Sequence, residues 1–181
     1  MAWEADFLDS MKHLRSPVMD KIMWFFSFLG DGGWFWIVTA IVLLVLVKTR
    51  KIGLEAALSL LITFIITSLI VKNIVDRTRP YEAYDFLESL IGKQKDSSFP
   101  SGHAANGFAV AVSIFINNKK LGIPFVCIAA IITFSRLYNV VHYPTDVMAG
   151  LAFGLTIPIL VHVMVKKLIY DKVVEKKPAK D

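Results

Sequence analysis

The sequence predicts an all-α fold, a polytopic membrane helix bundle of about six transmembrane helices preceded by an N-terminal interfacial helix. Two observations carry that expectation. The 181 residues are 55% hydrophobic with a mean hydropathy of +0.57, too apolar for an ordinary soluble domain of this length. Three stretches, Leu54 to Val75, Ile123 to Tyr138 and Val147 to Val165, approach or exceed the ~20 helical residues that a hydrocarbon core requires. Val18 to Leu29, Trp34 to Val47 and Gly102 to Ile116 complete the six. No internal repeat or second domain interrupts them, so residues 1–181 read as one membrane domain.

At the N-terminus, Trp3, Phe7, Leu8, Met11 and Leu14 recur at helical spacing, with Glu4, Asp6, Asp9 and Lys12 between them. This pattern predicts an amphipathic helix over residues 1–16 lying in the membrane interface. The segment carries acids and no apolar core ending in a small-residue cleavage site, so no removable signal peptide is expected. The next two apolar runs are joined by "GDGG" and are short: at ~1.5 Å per residue neither covers a ~30 Å core. They read as two short spans or a re-entrant hairpin, and in both readings the pair enters and returns.

The third helix ends in "KNIVDRTRP", where Lys72 and Arg79 project from nearly one face and Pro80 disfavours helical geometry at Arg79. Asp76 lies within reach of both cations and reads as their brace; Arg77 reads as a solvated flank. The following loop, Tyr81 to Phe99, is expected to be a lid, with Tyr84, Leu87, Leu90 and Ile91 on its apolar side. In "SSFPSGHAANG", Ser101 suits an N-cap and Gly102 opens the fourth helix, gathering free backbone N–H groups and the positive dipole end where an anion is held. His103 follows in the first turn.

In "SRLYNVVHYPTDVMAG", Arg136 ends the fifth helix, His142 sits in the connection, and Asp146 follows it by four at the start of the sixth. An Asp that accepts from one imidazole nitrogen leaves the other free to attack, although a His–Asp pair at this spacing also occurs as a simple helix cap. Cys127 is alone in an apolar run, so neither a disulfide nor a thiol metal site is expected. Residues 169–181 read as a basic tail.

Counted on the six-helix plan, fourteen of the 20 Lys and Arg residues share one side, which the positive-inside rule makes cytoplasmic along with both termini. Lys72, Arg79, Arg136, His103 and His142 then converge on the other face. Cations and backbone donors suit a phosphoryl group, one histidine suits attack and the other suits protonating the leaving oxygen. No Cys or carboxylate cluster has metal-ligand spacing, so metal-independent chemistry without a cofactor is expected.

The motifs resemble those of the type 2 phosphatidic acid phosphatases, the membrane branch of a superfamily shared with vanadium haloperoxidases. That pattern is a Lys, six residues, Arg-Pro; Pro-Ser-Gly-His; and Ser-Arg, five residues, His, three residues, Asp. Here it reads Lys72 with Arg79 and Pro80, Pro100 to His103, then Ser135, Arg136, His142 and Asp146. The resemblance implies that His142 is a nucleophile forming a phosphohistidine, that Asp146 orients it, and that His103 is acid and then base. It also implies that Lys72, Arg79, Ser101, Gly102 and Arg136 hold the phosphate, with no metal. Val140 departs from the family, in which many members have glycine two residues before the nucleophile.

The expected partners are a lipid phosphate substrate and the bilayer, with no nucleic acid and no obligate protein partner. Undecaprenyl diphosphate at the outer face of a bacterial plasma membrane is the first choice by resemblance and orientation. Phosphatidylglycerol phosphate, phosphatidic acid, lipid A phosphates or transfer to an acceptor other than water are the alternatives. A haloperoxidase is disfavoured by the short polytopic chain, and a non-catalytic transporter by its lack of need for two histidines and an Asp.

Overall fold

In the computed structural model, which describes residues 2–175 with side chains from Trp3 to Leu168, every regular element is helical. Helix α1 (Ala2–Ser10) runs through a single 3-10 turn, Met11–Leu14, to α2 (Pro17–Gly30). The start of α2 is set locally: the Ser16 hydroxyl accepts from Met19 N at 3.2 Å and Pro17 occupies the first turn. A short turn, Asp31–Gly33, leads into α3 (Trp34–Val45). Helix α4 (Arg50–Phe64) continues through a π-helical stretch, Ile65–Val71, into α5 (Lys72–Val75), and α6 (Pro80–Ala83) is one turn. The remaining helices are α7 (Gly102–Asn117), α8 (Lys119–Tyr138) and α9 (Pro144–Glu175).

The expectation that the two short apolar runs enter and return is overturned. Helix α2 descends along the last turns of α8: Asp20 accepts from Tyr138 Oη at 2.5 Å, the Asn139 side chain reaches Met23 O, and Gly30 packs on Ile132 and His103. Helix α3 continues in the same direction, with Trp36 against Gly107 and Leu44 against Gly53 at the start of α4. Pro17–Val45 is therefore one broken crossing of 29 residues, long and apolar enough to span, and not two. The glycine turn breaks the axis without reversing it. Arg50–Ala83, Lys119–Tyr138 and Pro144–Leu168 also have the length and hydropathy of spans. Helix α7, 16 residues long, is shorter than these four and runs between them, from the cavity end at Gly102 to the opposite end at Asn117.

Helix α1 packs at the start of α9, with Ala5 and Leu8 beside Val140 and Tyr143, so α1 and the far end of α9 lie at opposite ends of the bundle, whereas the six-helix plan places both termini together. Helix α1 is also more than an interfacial float. Ala5, Leu8 and Met11 are buried, the first two beside Leu87, Val140 and Tyr143, while Trp3 and Phe7 stay exposed, and Glu4, expected on the polar face, is fully buried. Helix α9 takes in the first residues of the expected tail; residues 176–181 lie outside the described residues.

Helix α7 is central. Its Val110, Ala111 and Ile114 meet Trp36, Ala40 and Leu43 of α3, Ala56 of α4, and Ala129 and Ile132 of α8. Against α9 it runs parallel and close: a Cβ on Gly150 would lie 2.6 Å from Ser101 O, and one on Gly154 2.7 Å from Ala105 O. Small residues four apart let two membrane helices approach backbone to backbone. At the far end of the bundle, Glu55 accepts from Asn117 at 2.6 Å and lies 2.9 Å from His162 Nδ1, tying α4, α7 and α9. Outward-facing Ile41, Leu61, Leu69 and Leu160 are exposed, as lipid-facing positions should be.

Candidate active site

The cavity at the α1 end of the bundle holds about 690 Å³ and is lined by Lys72, Arg79, Gly102, His103, Arg136 and His142, six of the eight residues singled out in the sequence. Asp146 stands behind His142, and Ser101 is buried beside Gly102. Each arrives for a local reason. Helix α5 ends at Asp76, whose φ of +42 turns the chain, and Arg79 is extended ahead of Pro80. Arg79 is thereby turned inward to donate to Val141 O at 2.6 Å. The Ser101 amide donates to Asp146 O at 3.0 Å, which locks the "PSGH" turn to the start of α9.

Ser101 occupies the N-cap position but its hydroxyl makes no capping bond; it is buried with no partner among the described residues. His142 Nδ1 lies 3.6 Å from Asp146 Oδ2, too long for a hydrogen bond but close enough for the carboxylate to orient the ring electrostatically. Burial pushes the His142 imidazole down to about 3, with Asp146 opposing and Arg79 and Arg136 reinforcing, so the ring is neutral at physiological pH. Asp146 Oδ2 accepts from Tyr143 N at 2.9 Å and from the Ser98 hydroxyl.

Two carboxylates that the sequence does not single out also face the cavity. Asp31, from the glycine turn, has Oδ1 3.0 Å from His103 Nε2 and 3.8 Å from Arg136 Nη1. Asp96 pairs with Lys72 and, at 2.7 Å, with Arg79 Nη2. Burial raises the Asp96 carboxyl, but the two cations more than offset this and hold it at about 2. The brace expected of Asp76 is thus supplied by Asp96; Asp76 is exposed and takes part in no ion pair among the described residues. Arg77, expected as a solvated flank, instead donates to Asp146 Oδ1 at 2.6 Å and to Glu4 Oε2 at 2.7 Å.

The loop after α6 divides in two. Leu87 is buried against α1, and Lys12 and Arg15 donate to Phe86 O and Glu88 O, so the part expected to form the lid is pinned to the N-terminal segment. Residues Lys93 to Asp96 form the cavity rim. Gly30 is needed for contact: a Cβ there would fall 2.3 Å from His103 Cδ2.

A family model, described as the PAP2 superfamily, matches residues 52–170, which hold every one of the eight residues. The chain belongs to the PAP2 superfamily. It is 32% identical over 137 residues to an undecaprenyl-diphosphatase of Sulfolobus acidocaldarius, covering 75% of this chain and 66% of that protein. It is 31% identical over 146 residues to the undecaprenyl-diphosphatase BcrC of Bacillus subtilis, covering 81% and 75%. In fold, this PAP2 chain is similar to the crystal structure of Aquifex aeolicus LpxE, with a TM-score of 0.77 at 23% identity over 86% of this chain and 92% of that one. The superfamily match begins after α3, so the broken crossing and α1, which bring Asp31 and Glu4 to the site, lie outside it.

Proposed function

We propose that this PAP2 protein is an integral membrane lipid phosphatase that works through a phosphohistidine on His142, without a metal. The observation that carries the reading is the convergence of Lys72, Arg79 and Arg136 with the two histidines on one cavity at one end of a membrane bundle. His142 presents Nδ1 to Asp146, which leaves Nε2 for the phosphorus. Attack forms the N–P bond while the P–O bond to the lipid breaks, and His103 gives its proton to the departing oxygen. Water then attacks the phosphohistidine, with His103 taking its proton back. The three cations, the unpartnered Ser101 hydroxyl and the first N–H groups of α7 receive the charge on the peripheral oxygens. Both carboxylates in the cavity are already matched to cations or to His103, which favours a metal-free cradle.

For the substrate we take undecaprenyl diphosphate, as the two relatives above are named for that activity. The site end is assigned to the outer face of a bacterial plasma membrane. With Lys12, Arg15 and Lys21 at the site's end, the full-sequence count becomes eleven against nine in favour of the opposite face as cytoplasmic, three of the eleven, Lys176, Lys177 and Lys180, lying outside the described residues. Phosphate release from undecaprenyl diphosphate, phosphatidylglycerol phosphate, phosphatidic acid and lipid A in detergent, with and without a chelator, tests both points. The expected result is fastest release from the diphosphate and no change with chelator. Activity abolished by the chelator and restored by magnesium would overturn the metal-free mechanism; preference for a monophosphate would replace the substrate. His142→Gln should abolish turnover and any acid-labile phosphate label.

A further inference from the structure

Asp146 divides its two oxygens. Oδ2 faces His142, while Oδ1 accepts from Arg77 Nη1 at 2.6 Å. Arg77 is in turn held on its other nitrogen by Glu4 Oε2 at 2.7 Å, and its guanidinium lies 3.8 Å from the centroid of the Tyr143 ring. Glu4 is fully buried, and its second oxygen accepts from Thr145 N at 3.2 Å and Thr145 Oγ1 at 2.5 Å, next to Asp146 in α9. Arg77 Nη1 also donates to Thr145 Oγ1 at 2.7 Å. Three elements far apart in the chain thus converge behind the nucleophile. A single carboxylate would satisfy a stray arginine; here one guanidinium is shared between two, one of them brought by α1 and also bonded to Thr145 at the start of α9.

We propose that Arg77 and Glu4 are positioning residues for His142, forming a buried Glu4–Arg77–Asp146 relay that sets how much of the Asp146 negative charge the imidazole feels. The proposal rests on the reading of His142 as nucleophile. Arg77 fixes the carboxylate plane through the Oδ1 bond and partly cancels its charge; Glu4 holds Arg77 and partly cancels the canceller. Other groups around His142 act in parallel and are untouched by changes in the relay. These are Arg79 from the loop before α6, Arg136 from α8, His103 from α7, Asp31 from the glycine turn, Lys72 from α5 and Asp96 from the cavity rim. Tyr143 faces Arg77, and Ser98 faces Asp146.

The two residues therefore have opposite electrostatic signatures. Removing Arg77 exposes the full Asp146 charge, favours the imidazolium and shifts loss of activity to higher pH. Removing the Glu4 charge strengthens the hold of Arg77 on Asp146 and shifts it to lower pH. In detergent-purified full-length protein, the acid limb of kcat/KM should move up by about one pH unit in Arg77→Met and down by up to about half a unit in Glu4→Gln. The substrate's own ionisation is common to all variants and cancels in the comparison. In Arg77→Met, kcat should fall about 10- to 100-fold with KM changed less than about threefold, because the phosphate cradle is intact. Arg77→Lys keeps the charge and should return the limb to within about 0.3 units of its original position while recovering only part of kcat.

Limbs that stay in place, or that move the same way in Arg77→Met and Glu4→Gln, would overturn the relay. So would a rise in KM with kcat unchanged. If Arg77→Met fails to fold, the isosteric Glu4→Gln carries the test, since its shift has a predicted sign of its own. His142→Gln separates the two levels: if it retains turnover, the nucleophile is misassigned; if it is inactive and the limbs do not move, only the relay fails.

Discussion

With its carboxyl held near 2, Asp96 is ionised throughout the pH range in which the protein works, so Lys72 and Arg79 face a permanent internal anion until substrate arrives. A phosphoryl group and this carboxylate compete for the same cations. Asp96→Asn should therefore lower KM and the inhibition constant for vanadate by about three- to tenfold, by a similar factor from pH 5 to 8, because the charge it removes disappears only as pH falls through about 2. Weaker vanadate binding in the variant would instead mean that Asp96 holds the cations in position. The charge was visible in the sequence, three residues before Phe99, but its partners were not. Asp76 is nearer to both cations along the chain, and only the left-handed turn at Asp76 shows that sequence proximity misleads there. Val140 differs: its departure from the glycine of many relatives is legible, and its φ of +58 explains their glycine but not the valine. A β-branched residue in this region costs roughly 1–2 kcal/mol, which burial of the Val140 side chain against α1 and Tyr143 offsets by about as much.

Helices α7 and α9 carry His103 and Asp146 and are joined by the close approach at Gly150 and Gly154. Gly154→Ala should destabilise the protein by about 1–3 kcal/mol, since the added Cβ meets Ala105 O and not a side chain that can turn away. A lower melting temperature in detergent and reduced kcat check this, with lipid-facing Leu160→Ala as the control that changes little. An unchanged melting temperature would mean that the helices separate at no cost. At this scale the motifs located α5, the start of α7 and the start of α9 because each functional residue sits at a helix end with its own turn chemistry. The path of α2 and α3 was not legible. Hydropathy and length describe each run alone, whereas their common direction is decided by Gly30 against His103 and Trp36 against Gly107, contacts with residues more than 70 positions away.

For the whole molecule, the broken crossing predicts that α1 shares a compartment with the loop before α7 and not with the end of α8's first turn. In a Cys127→Ser background, cysteines placed at Ser10 and Ser89 should both react with an impermeant thiol reagent on intact cells, and one at Asn118 should not. Labelling at Ser10 that follows Asn118 would restore the returning hairpin; labelling at Asn118 alone would invert the molecule. The same geometry makes the two ends of the chain unequal as handles. Glu4 is clamped between Arg77 and Thr145, so an affinity tag or reporter fused just ahead of it pulls on the carboxylate behind the nucleophile. From Asp146 to Leu168, α9 carries the chain about 33 Å away. A fusion at that end reads out insertion and abundance without touching the chemistry.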